Sequence, residues 1–278
     1  TTWDNESTPQ FSAIIDAYEA KNSDVEIKVI DTSADEYNNS VGISLSAAQP
    51  DPDVIWVKDM GALLQMADKE QLLPLDDFIK KDNLDLSVYK GAAEQLRYND
   101  ISYSLPYRND WYVLYYNKDL FDAAGVEYPS NDMTWDEYYD LAARLTSGEG
   151  GSKVYGSHHH TWQALVTNWA VQDGKHTVVE TDYDFLKPWY ENTLKLQDNG
   201  YIQDYSTLKT ANIHYISVFK NQQCAMMPMG TWFIATMMQS QAEGETDFRW
   251  GVAAIPHPSD TEAGYTVGAL TPITISRF

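Results

Sequence analysis

The sequence predicts an α/β protein of two lobes, on three observations. Strand-like and helix-like stretches alternate through the first sixty or so residues, the order that builds a parallel sheet with helices on its faces. The run Val54-Ile55-Trp56-Val57 is short and continuously apolar, as a strand buried on both faces requires. At 278 residues and 43% hydrophobic, the chain is long enough for two lobes with a core each.

The elements follow in order. Trp3 closes a short first strand, and Thr8-Pro9 opens a helix with Pro at its first position. Phe11, Ile14, Ile15 and Tyr18 give that helix one apolar stripe. Residues 25–29, Val-Glu-Ile-Lys-Val, alternate and read as a strand. Residues 35–48 read as a helix with Asp35 and Glu36 in its first turn, where acids favour the helix dipole. Residues 60–67 and 86–96 read as further helices and 101–105 as a strand, followed by a polar turn and a second strand at 112–116. Thr134-Trp135-Asp136-Glu137 is a capping box that starts a helix running to about Leu145. The Gly-rich stretch 147–152 lacks the Gly-Lys-Ser/Thr ending of a phosphate loop and reads as a plain loop. From 161 to 239 the pattern is mainly helical, with Leu186, Trp189, Tyr190 and Leu194 on one face and a stop at Asn199-Gly200. A strand at 225–229, Gly230 and a helix from Thr231 interrupt it. Strands return at 250–255 and 272–276. The last has no helix after it to cover a sheet, so an exposed apolar patch is expected near residues 272–275.

Bulk properties exclude several functions. A net charge of −22 is wrong for a phosphate backbone, so no nucleic-acid partner is expected, and it disfavours anionic membranes. No run of ~18 apolar residues is present. The single cysteine, Cys224, cannot form an internal disulfide and stands in an apolar strand-like run, as a small hydrophobe does.

Catalytic and metal signatures are sparse. His158-His159-His160 cannot all point at one ion from a regular element, and no Cys or Glu stands at ligand spacing, so the run reads as a polar loop or pocket wall and no metal is expected. No cofactor motif and no Gly-x-Ser-x-Gly elbow is present. The 41 acidic residues leave a glycosidase pair open without singling one out.

What recurs is an aromatic beside a polar group at the carboxyl end of a predicted strand. Trp3-Asp4-Asn5-Glu6, Trp56-Val57-Lys58-Asp59, Arg108-Asn109-Asp110-Trp111 and Met229-Gly230-Thr231-Trp232 all fit this pattern. In open α/β sheets that end is where ligands bind. A ligand with hydroxyl edges and C–H faces, such as a sugar, suits the pairing. With 9 Trp and 19 Tyr, an aromatic-lined pocket is expected.

Several blocks resemble the family 1 extracellular solute-binding proteins, the sugar-capturing subunits of bacterial ABC importers. They are residues 53–59 (Asp-Val-Ile-Trp-Val-Lys-Asp), 105–121, 134–138, 153–156, 219–233 and 267–273, in the family's order. The Tyr-Asn-Lys-Asp-Leu-Phe sequence at 116–121 is the most specific. The resemblance implies a two-lobed periplasmic-binding-protein-like (type II) fold with the ligand in a cleft. Lobe one would be 1–107 plus 252–278 and lobe two 108–251, with crossovers at 107–109 and near 251–256. By similarity, Trp3 and Asn5 match a ligand-touching loop, and Asp59 and Asp110 match polar contacts. Trp162 and Trp232 match aromatics that stack on sugar rings, and His159 and Gly268 are looser matches. Members of the family continue past the point matched by Phe278, so lobe one is expected to lack its C-terminal part.

The expectation is therefore a monomeric, non-enzymatic carbohydrate receptor outside the cell, a lipoprotein or a free periplasmic protein, that hands its ligand to permease subunits. Glu6, Asp59 and Asp110 would accept hydrogen bonds from hydroxyls and Arg108 would donate. Trp111 and the other tryptophans would supply flat faces, with Gly230 allowing close approach. A secreted glycoside hydrolase using the same aromatics, and a ferric-ion receptor with clustered tyrosines, are the alternatives.

Overall fold

The computed structural model describes residues 1–3, 5 and 9–278. Glu6 and Thr8 lie outside the described residues. In chain order the elements are β1 (Thr2–Trp3), α1 (Pro9–Lys21), β2 (Asp31–Thr32), α2 (Tyr37–Ser46), β3 (Val54–Trp56), α3 (Met60–Asp68), α4 (Asp76–Lys81) and α5 (Ala92–Gln95). Then come β4 (Arg97–Tyr98), β5 (Ile101–Ser102), β6 (Ser104–Asn117), α6 (Lys118–Ala124), α7 (Trp135–Leu145), β7 (Tyr155–Ser157), α8 (Thr167–Ala170) and α9 (Lys187–Asp198). The chain finishes with α10 (Tyr205–Thr210), α11 (Tyr215–Lys220), β8 (Cys224–Gly230), α12 (Phe233–Ala242), β9 (Trp250–Ala253) and β10 (Gly268–Ile275). It divides into two compact units, Thr1–Asp110 with Ala269–Phe278, and Trp111–Gly268.

In the first unit β1 pairs with β2 in parallel, while β3 pairs antiparallel with β10 through Ile273↔Trp56 and Ile275↔Val54. The all-parallel sheet expected from the sequence is thus a mixed one. Val54-Ile55-Trp56 was read as buried on both faces, yet Val54 is 40% exposed and so is its neighbour Ile275 at 38%. The core is Phe11, Tyr37, Leu45, Ile55, Trp56 and Leu63 with their neighbours. Tyr37 spans it, its hydroxyl donating to the Trp56 carbonyl at 2.6 Å. Of the predicted α1 stripe, Phe11 and Ile15 are buried while Ile14 and Tyr18 face solvent.

Residues 25–29 do not form a strand. Ile27 alone packs against the core, and its N–H donates to Glu19 Oε1 at 2.6 Å instead of to a neighbouring strand. The helix expected at 86–96 is a short 3-10 turn followed by α5, because Lys90 and Gly91 both take left-handed backbone angles. Asn99 and Asp100, at φ 48° and 62°, make the two-residue hairpin between β4 and β5 that such residues favour.

The second unit is built on β6 and β8. Tyr112↔Gly230 through Tyr116↔Met226 pair antiparallel, β9 lies against β6 at Leu114↔Ala253, and β7 runs parallel to β8. Side chains of β6 alternate across the sheet. Tyr112, Leu114 and Tyr116 join Trp135, Tyr138 and Trp169 in one core, whereas Tyr115 joins Phe219, Phe233 and Met237 in another. Cys224 is fully buried and burial pushes its thiol well up, as expected of a small hydrophobe.

The block at 116–121 has a structural explanation. Asn117 is fully buried; its Oδ1 accepts from the N–H groups of Asp119 and Leu120 at 3.0 and 3.1 Å, capping α6. Phe121 fills the core, and Asp119 and Asp122 both grip Arg249.

Two boundary expectations change. The polar turn predicted between strands at 106–111 is continuous strand, β6 running through Pro106 and Arg108 for 14 residues. The return of the chain, expected near 251–256, comes at Gly268/Ala269. Residues 250–253 pair with β6, and Gln172 Nε2 donates to the carbonyls of Pro256 and Tyr265, each at 2.8 Å. These bonds keep residues 252–268 on the second unit.

Candidate functional site

The second unit gathers aromatic rings where β8 ends. The N–H of Thr231 donates to the Trp111 carbonyl at 2.9 Å, and the Trp111 N–H donates back to Thr231 Oγ1 at 3.3 Å. This double link fixes the turn after Gly230. The indole of Trp232 then lies directly over Gly230, where a Cβ would fall 2.0 Å from the ring. Glycine is required there by close approach alone. Trp232 Nε1 donates to the Tyr215 hydroxyl at 3.2 Å, and its ring stands edge-on to Tyr112 at 5.5 Å.

Trp162 completes the group. It lies 5.5 Å from Tyr215 and 6.5 Å from Trp232, between centroids, and 4.5 Å from His160 in an edge-to-face contact. Trp162 and Trp232 are each partly exposed, and Trp111 is 49% exposed. Edge-to-face neighbours fix each indole while leaving part of its face open. Trp111, Trp162, Gly230 and Trp232 are thereby brought into one structural neighbourhood.

Histidines lie behind the rings. His158, His159 and His160 are all buried, so the run is an interior wall and not a polar loop. His159 Nε2 meets the Tyr138 hydroxyl at 2.8 Å and its ring stacks on Tyr138. Burial lowers their pKa values to about 3 for His158, about 4 for His159 and about 2 for His160. His160 also touches His214 and Tyr215. Among the described residues no group of three or more His, Cys, Asp or Glu is placed to hold a metal ion.

The first unit holds the charged candidates. Arg108 and Asp110 stand two apart on β6, hence on one side of the strand, and pair at 2.5 Å. Asp110 is only 4% exposed, so its carboxylate needs that guanidinium as partner. The guanidinium also lies 6.0 Å from the Tyr107 ring. Asp59 is the N-cap of α3: Oδ1 accepts from Ala62 N–H at 2.8 Å and Oδ2 from Asn38 Nδ2 at 2.7 Å.

Three expected contacts look different in place. Trp3 is a core residue, 8% exposed and wedged edge-on between Phe11 and Tyr37 at 5.1 and 4.9 Å. The Asn5 N–H donates to the Asp31 carboxylate, and its side chain bonds to Ser12. Gly268, where β10 begins, is exposed but joins no aromatic group in the described contacts. Tyr215 and His214 were missed from sequence, because nothing in Ile213-His214-Tyr215-Ile216 separates a site residue from an ordinary helix start.

The comparisons with known proteins agree with this architecture. A family model described as "Bacterial extracellular solute-binding protein" matches residues 4–276. The sn-glycerol-3-phosphate-binding periplasmic protein of Pectobacterium atrosepticum is 25% identical over 268 residues, covering 91% of this chain and 58% of that protein. Its Escherichia coli K12 counterpart is 24% identical, with 59% of its length covered. The chain therefore spans less than two thirds of the length of these curated relatives. A sugar transporter from Rhizobium etli, solved in an open conformation, is 38% identical with a TM-score of 0.75 over 99% of this chain and 71% of that one. An ABC substrate-binding protein of Listeria monocytogenes, solved with cycloalternan, shares the fold at a TM-score of 0.80 and 22% identity, covering 99% of this chain and 70% of that one. This α/β chain belongs to the bacterial extracellular solute-binding proteins, a family of binding proteins and not of enzymes.

Proposed function

We propose that this chain is the substrate-binding part of an ABC importer and that its ligand is an uncharged mono- or oligosaccharide. One observation carries the reading: two partly exposed tryptophans, Trp162 and Trp232, lie around the end of β8, held edge-on by Tyr215 and Tyr112, with the exposed Trp111 tied to the same turn through its backbone. Flat apolar faces of this kind suit the C–H faces of pyranose rings, and rigid aromatics lose little entropy on binding. The structural relative from Rhizobium etli, 38% identical, is named a sugar transporter. Delivery to permease subunits, in a periplasmic or lipid-anchored form, follows from the same reading.

A second reading has a specific basis. The curated relatives are named for sn-glycerol 3-phosphate. A phosphate dianion requires a free cation or several N–H donors, and the charge of Arg108, the arginine of the candidate set, is offset by Asp110 at 2.5 Å, while its Nε and Nη1 are buried without a hydrogen-bond partner among the described residues. The charge pattern therefore favours the neutral sugar.

Intrinsic tryptophan fluorescence separates the two. Titration with a panel of neutral saccharides is expected to change the emission saturably, while sn-glycerol 3-phosphate leaves it unchanged. A saturable response to the phosphate alone overturns the saccharide reading. Release of shorter sugars during the titration overturns the binding-protein reading and favours a hydrolase.

A further inference from the structure

The first unit contains a groove whose lining shares only Asp59 with the candidate saccharide residues. It runs between α2 and α3 and offers about 200 Å³, roughly the share of six or seven waters. Two small residues open it. A Cβ added at Gly42 would meet nothing within 4 Å, and Gly61 faces the groove from the first turn of α3. The floor is apolar, formed by Val41, Ile55, Val57 and Met66, all buried.

The polar groups are distributed unevenly. At one end Asp59 is fully engaged, its two oxygens taken by Ala62 N–H and Asn38 Nδ2. Lys58 is engaged too, donating to the Ala34 carbonyl. Towards the other end lie Gln65, Lys69 and Gln71. Gln71 is 93% buried, since its exposure is 7%. Its backbone is tied at both groups, N–H to Met66 and carbonyl from Arg277. Its side-chain amide is not among the enclosed polar atoms and lies open to the groove that Gln71 lines. The amide thus lines open space beside the exposed Lys69.

We propose that this groove is a second binding site, for a small hydroxylated organic anion. The anionic group would lie by Lys69 and Gln71, with the short carbon chain over Met66 and Val41. Lys69 supplies the charge, since it makes no ion pair among the described residues. Gln71 supplies an amide N–H donor on the groove wall, held in place by its buried, doubly bonded backbone. A carboxylate and a phosphate share this chemistry, and both are tested.

The experiment is calorimetric titration of the whole chain with D-glycerate, with sn-glycerol 3-phosphate and with glycerol. At least one anion is expected to bind about tenfold or more tightly than glycerol. Gly42→Leu, which fills the groove from a position with room for the side chain, is expected to abolish anion binding. Gln71→Leu and Lys69→Gln should each weaken it, and all three variants should keep the saccharide response of the wild type. Failure of both anions to bind overturns the proposal. So does unchanged anion binding in Gly42→Leu, or its loss in Trp232→Ala, which would place the anion at the aromatic group. Because saccharide binding is followed separately, failure here leaves the saccharide reading standing, and failure of that reading leaves this one standing.

Discussion

At the scale of single residues, Trp232 and Trp135 show how two tryptophans of one unit differ. Trp135 is 4% exposed and enclosed by Tyr138, Trp169 and Trp189 at 5.0–5.7 Å. Trp232 is partly exposed and rests on the bare backbone of Gly230. Replacing Trp135 by Ala should cost about 3–5 kcal/mol of folding free energy, as for a buried aromatic. Trp232→Ala should cost distinctly less stability and instead remove about 1–3 kcal/mol of saccharide affinity, judged from stacking on other flat ligands. Thermal melts and saccharide titrations of the two variants check this together, and equal stability losses would contradict it. Gly230→Ala is a sharper probe of the same contact. Its Cβ would fall 2.0 Å from the Trp232 ring, so the indole must move, and saccharide affinity should fall even though both tryptophans remain. The sequence signalled Gly230 and Trp232 because a glycine two places before an aromatic marks close approach. It gave no equivalent signal for Tyr215, whose role as acceptor for the Trp232 N–H depends on tertiary contact.

At the scale of elements, Asp59 and the buried histidines carry the clearest consequences. Asp59 looked like a hydroxyl acceptor from sequence, but in place it caps α3 and holds Asn38. Asp59→Ala should therefore lower stability by about 1 kcal/mol in the absence of any ligand, which a urea melt of the unliganded protein measures. An unchanged midpoint would mean that the cap contributes nothing. His158, His159 and His160 follow β7 into the interior, where burial lowers their pKa values to about 3, 4 and 2. In the unfolded chain each takes up a proton near the ordinary value of about 6.5. Stability is thus complete above about pH 6.5 and falls as the pH drops from there towards the folded values, because the unfolded state binds more protons. Each histidine contributes about 1.4 kcal/mol of loss per pH unit within that window. The carboxylates whose pKa is lowered, Asp119 and Asp122 among them, lose their contribution only as the pH falls through the ordinary carboxylate range of about 4 and below, outside the span from about pH 7 to about pH 5. Unfolding curves at about pH 7 and about pH 5 should differ by several kcal/mol, and His158→Gln should reduce the difference. A flat profile would show that these rings are not held neutral.

At the scale of the whole molecule, the α/β class was legible because helix stripes and short apolar strands are local signals. The sheet's mixed direction was not, since Val54-Ile55-Trp56 carries no mark of whether its partner is parallel or antiparallel. The division at Asp110/Trp111 and Gly268/Ala269 was near expectation on the first crossing and late on the second. Gln172, which holds 256 and 265 in place, is far away in sequence. The site was legible as residue types, aromatic beside polar after each strand, but not as roles. Trp3 resembled Trp232 in the sequence and became core, because Phe11 and Tyr37 close over it. On the proposed function the chain binds a neutral saccharide without transforming it. The most direct measurement is a thermal-shift screen against a saccharide panel, with the sugars recovered and analysed afterwards. At least one sugar is expected to raise the midpoint, by the equivalent of about 2.7 kcal/mol at a hundredfold excess over Kd, and to be recovered intact. Stabilisation by sn-glycerol 3-phosphate and by no sugar, or recovery of cleaved products, would contradict it.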